Sequence, residues 1–194
     1  MRLAALTIDQ LDADQLELYQ QIISGPRSSG PQHFPLCDAR GALNGPFGIM
    51  LHTPGLGRPL QELGAAIRYR TGLTGRIREI AILSVAAATG SEFERYAHER
   101  VGRAIGLTEA ELSALADRRF TSDDAAEMAA YRLCELLDSG ELPLTDEHFA
   151  DLRSALGQTA LLELVVLAGY YKTLSQLLHV FDVGVPSQDG TSSR

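Results

Sequence analysis

Apolar residues recur along this chain at helical spacing, and no stretch alternates with the period of two that a half-buried strand requires. Leu11, Leu16, Leu18, Tyr19, Ile22 and Ile23 predict a first helix from about Asp9 to Ile23. Further segments follow at Pro59 to Thr71, Arg76 to Thr89, Ser91 to Ile105, Thr108 to Asp117 and Ser122 to Leu137. Gly90, Gly106 and Gly140 punctuate them, and Thr108 with Glu111 has the spacing of a capping box. Thr145 caps a helix to about Leu156, and Gln158 to Phe181 reads as a long apolar helix closed by Gly184 and Pro186. The pattern therefore predicts an all-α fold of roughly eight helices in a single domain, 1–186, with a flexible tail at 187–194.

One region breaks the pattern. From Ser24 to Gly48 four prolines and five glycines are scattered among Phe34, Leu36 and Phe47. An irregular segment of this length with large apolar residues is expected to wrap a surface and to cover its aromatics. Composition narrows the partners. The 194 residues carry 17 basic and 25 acidic side chains, a formal charge of −8, so no sequence-independent grip on nucleic acid is expected. The most apolar stretch, Ala160 to Tyr171, is interrupted by Glu163 and ended by Lys172, short of the roughly 20 residues of a membrane span. No secretory signal is legible at the start, so the cytoplasm is the expected compartment. Cys37 and Cys134 lie far apart and outside any CxxC pattern, which predicts neither a disulfide framework nor a thiolate zinc site.

The residues able to do chemistry cluster around Gly90. At roughly 100° per residue, Glu79 falls on the helical wheel between Ile82 and Leu83, where a carboxylate is either held by the helix start or desolvated and able to carry a proton. Ser91, Glu94, Arg95 and His98 follow within roughly 100° of one another as one polar stripe. Glu94 and His98 form an i, i+4 pair. Such pairs are more often solvated than catalytic, yet a carboxylate on an imidazole also fixes its tautomer and basicity for acid/base work. Without HExxH or a doubled ExxH pattern, no metal and no cofactor is expected. Either Tyr170 or Tyr171 is placed to line a pocket; Tyr170 is the candidate taken. His179, His52, His33 and His148 read as packing, turn and surface residues, and Cys134 as buried packing. An echo of Glu79 and His98 recurs at Glu163 and His179, either a duplicated hairpin or a coincidence between apolar helices.

These same residues carry a resemblance. Arg78-Glu79, an apolar helix, Gly90-Ser91-Glu92-Phe93-Glu94-Arg95-Tyr96-Ala97-His98 and then Gly106-Leu107-Thr108 resemble the carboxymuconolactone decarboxylase family, which includes the alkylhydroperoxidase D-like proteins. The run from Asn44 to Pro54 and the sequence from Gly169 to Leu174 extend the likeness over about 44–186. In the peroxidase branch of that family a Glu, a CxxC pair and a His four residues later form a relay that activates the thiols. Matched residue by residue, the Glu is Glu79, the thiol positions are Ser91 and Glu94, and the His is His98. Neither a hydroxyl nor a carboxylate can perform thiolate chemistry. The resemblance thus implies the alkylhydroperoxidase D-like helical fold in a cysteine-free branch, assembled as a homo-oligomer, trimeric or hexameric.

The expected function is a cofactor-free decarboxylase, lyase or isomerase acting by acid/base chemistry on a small carboxylated or lactone substrate. His98, Glu94 and Glu79 are its candidate catalytic residues, and Ser91, Arg95 and Tyr170 its candidate substrate contacts. The alternatives are alkylhydroperoxidase (peroxiredoxin-type) activity and a non-enzymatic small-ligand-binding oligomer.

Overall fold

A computed structural model describes residues 2–25, 32–140 and 142–186. Among them there is no strand, only an isolated antiparallel bridge between Cys37 and Leu43. Eight α-helices follow in order: α1 (Ala13–Ser24), α2 (Pro46–Met50), α3 (Pro54–Tyr69), α4 (Gly75–Thr89), α5 (Glu92–Ala104), α6 (Glu109–Ala116), α7 (Ala125–Ser139) and α8 (Asp146–Val180). The chain's contacts gather into two compact units, residues 1–65 with 177–194, and residues 66–176. The expected tail at 187–194 lies outside the described residues.

In the first unit the chain begins α1 later than the apolar spacing implies. A short 3-10 turn at Ile8–Gln10 precedes it, and Asp12 then accepts the Gln15 N–H in a capping box that fixes the start at Ala13. The segment read as irregular is partly ordered by the same unit. Asp38 closes a turn onto Ala42, and the Tyr19 hydroxyl donates to the Gly41 carbonyl at 2.9 Å. Phe47 is buried with Leu43, Ile49, Met50 and Leu51, so this apolar part of the segment is core. The stretch 26–31 lies outside the described residues. Pro46 and Pro54, which look like breakers in the sequence, stand at the first turns of α2 and α3, where a missing N–H costs nothing. Consequently α3 starts at Pro54, and Pro59 lies inside it. Gly57 is required there: a Cβ would come within 2.3 Å of the Met50 carbonyl oxygen.

The second unit is built on α4, which packs against α7, α5 and α6. Ile80, Leu83, Leu107, Leu112, Leu115, Phe120 and Tyr131 form its core. Arg76, the second residue of α4, donates to Glu127 on α7 at 2.6 Å, to Glu111 on α6 and to the Gly106 carbonyl, and so ties three elements to the start of α4. Asp124, not Ser122, caps α7, accepting from Ala126 and Glu127.

The last two expected helices meet end to end in α8 across a kink at Gly157, whose backbone is non-helical (φ 77°, ψ 162°), at the corner expected near 157. Thr145 caps it as the sequence implies, accepting from His148 N–H. Leu161, Leu164, Leu167, Tyr171 and Leu174 on α8 are buried, whereas Leu162, Val165 and Val166 are exposed. By length and composition α8 also suits a membrane span, which Ala160 to Tyr171 alone did not; a long core helix passes the same test.

Candidate active site

The site is made by the corner between α4 and α5. Thr74 caps α4 through Ile77 N–H, and α4 ends at Gly90, whose left-handed conformation (φ 67°) lets its N–H return to Ala86 and Ala87. The chain reverses there and enters α5 at Ser91, so two helices lie side by side with Glu79 on one and His98 on the other. Glu79 Oε2 is 2.6 Å from His98 Nδ1, and His98 Nε2 is 3.5 Å from Glu94 Oε2. All three residues are buried, Glu79 completely. From α8, the Tyr171 ring meets the imidazole edge-on with centroids 5.1 Å apart, and Tyr170 packs edge-on against Tyr171.

The geometry reverses two expected roles. Glu94 is the i, i+4 neighbour that sequence spacing offers as the orienting carboxylate, but Glu79 makes the short contact. With Nδ1–H directed at Glu79, the tautomer leaves Nε2 as the reactive nitrogen, and that nitrogen faces Glu94. The surface ion-pair reading of Glu94 and His98 does not hold, because both are buried.

Charge explains how such a site remains folded. Burial pushes the Glu79 carboxyl up, but the His98 imidazole, then Arg68 and Arg78, outweigh it and hold Glu79 below the usual carboxylate range. Arg78 Nε stands 3.8 Å from Glu79 Oε1, an ion pair without a hydrogen bond, and both atoms are buried without a hydrogen-bond partner. Burial drives the Tyr171 hydroxyl far up, with Glu94 and Glu79 adding to the effect, so Tyr171 stays a neutral phenol. Ser91 is buried at the start of α5, and its hydroxyl makes neither a capping bond nor any other hydrogen bond.

Other sequence candidates fall elsewhere. Arg95 is 60% exposed and pairs with Glu99 at 3.1 Å, so it does not share the buried stripe with Ser91, Glu94 and His98. Tyr171, the neighbour of Tyr170, is the tyrosine on His98. Arg68, at the end of α3, was not found from sequence: it lies beyond the Gly72 turn from α4, and no periodicity links it to the stripe. Glu163, the counterpart of Glu79 in the internal echo, accepts the Gly72 N–H at 3.1 Å instead of facing an imidazole. Cys134 is buried, its thiol pushed up to about 12 chiefly by desolvation, whereas Cys37 is half-buried beside Tyr19 in the other unit. Among the described residues no three His, Cys, Asp or Glu side chains are gathered in a group that could hold a metal ion.

Known proteins resemble this chain in sequence family and in fold. Residues 54–136 match the model of the carboxymuconolactone decarboxylase family. The fold resembles a crystal structure of the alkylhydroperoxidase AhpD core, a peroxidase-related protein from Ralstonia eutropha JMP134. Identity is 13%, coverage is 95% of this chain and 92% of that one, and the TM-score is 0.75. It also resembles the debrominase Bmp8 in complex with 2,3,4-tribromopyrrole, at 16% identity over 90% of this chain and 87% of that one, with a TM-score of 0.67. At these identities the likeness is one of fold. No curated protein matches the sequence.

Proposed function

With residues 54–136 belonging to the carboxymuconolactone decarboxylase family, we propose that the chain is a cofactor-free acid/base enzyme, a decarboxylase, lyase or isomerase, for a small carboxylated or lactone substrate. The observation that carries this reading is the buried line Glu79, His98, Glu94, in which one imidazole has a carboxylate at each ring nitrogen and no sulfur stands at either thiol position of the family's peroxidases.

The array suits proton transfer to carbon. Glu79 accepts the Nδ1–H bond and stabilises the imidazolium, so His98 can hold a proton on Nε2 without leaving the interior. When a carboxylate leaves as carbon dioxide, its bonding electron pair moves into a neighbouring carbonyl of the substrate. Nε2 then gives its proton to the carbon that has lost the carboxylate, and Glu94, 3.5 Å away, is placed to return a proton to the ring. An isomerase would use the same atoms in alternation, with His98 removing a proton and replacing it at a second carbon. The Ser91 hydroxyl, buried and without a partner, is available to donate to a developing oxyanion.

The experiment is turnover across a panel of β-keto acids and unsaturated lactone acids, read with His98→Gln and with the double variant Cys37→Ser, Cys134→Ser. Loss in the first and retention in the second is the expected result. Hydroperoxide reduction that disappears with the cysteines would overturn it in favour of the peroxidase reading, which the likeness to a peroxidase-related structure supports. Ligand binding without turnover, unaffected by His98→Gln, would favour a binding protein. Assembly as a trimer or hexamer belongs to the same proposal, supported by the exposed Leu162, Val165 and Val166 and tested by sedimentation. Cytoplasmic residence does too, and is tested by fractionation.

A further inference from the structure

Away from the reacting residues, the second unit holds a cavity of about 230 Å³ between α4, α7 and α8, with Val85, Ala88, Leu137, Val165, Ala168 and Gly169 in its wall. None of Glu79, Ser91, Glu94, His98 or Tyr171 lines it. Val85 and Ala168 are buried whereas Val165 and Gly169 are exposed, so the hollow runs inward from the surface of α8. A glycine inside a helix destabilises it relative to alanine. Packing does not demand one at 169, because a Cβ there would meet nothing within 4 Å. What the missing side chain leaves is open space at the mouth of the hollow. The polar groups of the wall are already engaged. The Thr89 hydroxyl donates to the Val85 carbonyl at 2.8 Å, the buried Cys134 thiol donates to the Ala81 carbonyl at 3.7 Å, and Asp138 accepts from Arg118 at 2.9 Å. Lys172 is exposed at the rim, where its ammonium keeps its water.

We propose that this hollow is a second ligand site, separate from the Glu79, His98 and Glu94 array, and that it takes a small uncharged apolar molecule about the size of one substituted aromatic ring. An apolar cavity of about 150 Å³ is enough to stay dry and bind benzene. A charged ligand would lose its hydration on entry and find no group inside free to replace it. The competing occupant is a second copy of the chain, because Val165 also belongs to the exposed patch of α8. A chain laid on that patch would cover Leu162, Val165 and Val166; the hollow behind them, reaching Val85, has the dimensions of a free molecule.

The test uses the full chain and three ligands that share one ring. Toluene, benzoate and protonated benzylamine are titrated in turn while the methyl resonances of Val85, Ala88 and Ala168 and the ring resonances of His98 are followed by NMR. Toluene should shift the methyl signals saturably and more than those of His98, and should bind at least about tenfold more tightly than either ion. It should also raise the unfolding temperature, because it binds the folded chain. Gly169→Leu puts a side chain into the mouth and should weaken toluene by about tenfold or more. Ala88→Leu fills the hollow from α4 and is the deciding variant if Gly169→Leu fails to fold. No saturable shift, an ion bound as tightly as toluene, toluene moving His98 and not Val85, or undiminished binding in both variants would each overturn the proposal. Failure of toluene to bind, together with an altered sedimentation coefficient in Gly169→Leu, would overturn it in favour of a second copy of the chain.

Discussion

Helix α5 carries two sets of charges of the same kind in two environments. On its inner side Glu94 and His98 stand one turn apart and meet Glu79 from α4. On its outer side Arg95, Glu99 and Arg103 also stand one turn apart, at 3.1 Å and 3.5 Å, and Arg103 reaches on to Glu109 at 2.6 Å. Spacing and geometry are alike; water is not. The outer ladder is screened, and each of its exposed pairs is of a kind that contributes about 1 kcal/mol or less. The inner array has lost its hydration, so its charges depend on one another and a proton added or removed there is felt by every member. One helix thus separates charge that is solvated from charge that is buried.

The sharpest way to break the inner array is His98→Gln, which keeps the volume and one polar contact but removes the titrating ring. Turnover should fall by about 10²–10⁴-fold, the usual share of a general acid or base, with helical circular dichroism retained. Glu79→Ala comes next and should cost stability, about 3–5 kcal/mol by urea unfolding, because it leaves a buried imidazole and Arg78 without their partner. Glu79→Gln should be milder in unfolding and still severe in turnover.

A third test uses pH. The Glu79 carboxyl is held below its ordinary value of 4.5 in the folded protein, so its contribution to stability is complete above that value. It is lost progressively as pH falls from about 4.5 through the lower folded value. Urea midpoints measured from neutral pH downward should therefore decline less steeply in Glu79→Gln than in the wild type; identical slopes would show that Glu79 is not ionised in the fold. The smallest effect belongs to the outer ladder. Arg95→Ala should change stability by less than about 1 kcal/mol and leave turnover as it is, and a larger loss of turnover would return Arg95 to the substrate.

The same contrast explains what the sequence could tell. His98, Glu94 and Glu79 were legible because spacing on a helix and the glycine at its corner are local properties, and a reversal at Gly90 must bring the two faces together. Arg95 misled because the stripe is about 100° wide and the boundary between interior and water runs through it. Tyr170 and Tyr171 are both buried, and α8 carries apolar residues on its exposed side as well, so the pattern does not separate the one that meets His98 from the one behind it. Arg68, whose charge helps hold the Glu79 carboxyl down, was invisible for a different reason: it stands on α3, and no periodicity links it to the stripe. Among the helices, α2 and the start of α3 were lost because proline serves both as a breaker and as a first residue, and the deciding neighbour of Gly57, Met50, is tertiary.

The absence of sulfur from the inner array also bears on endurance. Thiol-dependent sites are spent by the oxidants they meet, because their nucleophile climbs from sulfenic to sulfinic acid and beyond. Serine, glutamate and imidazole do not take that path. Cys134, the cysteine in the same unit, is sealed in the interior with its proton held in place. A dose of peroxide that oxidises an exposed thiol would leave the side chains of Glu79, Ser91, Glu94 and His98 unchanged.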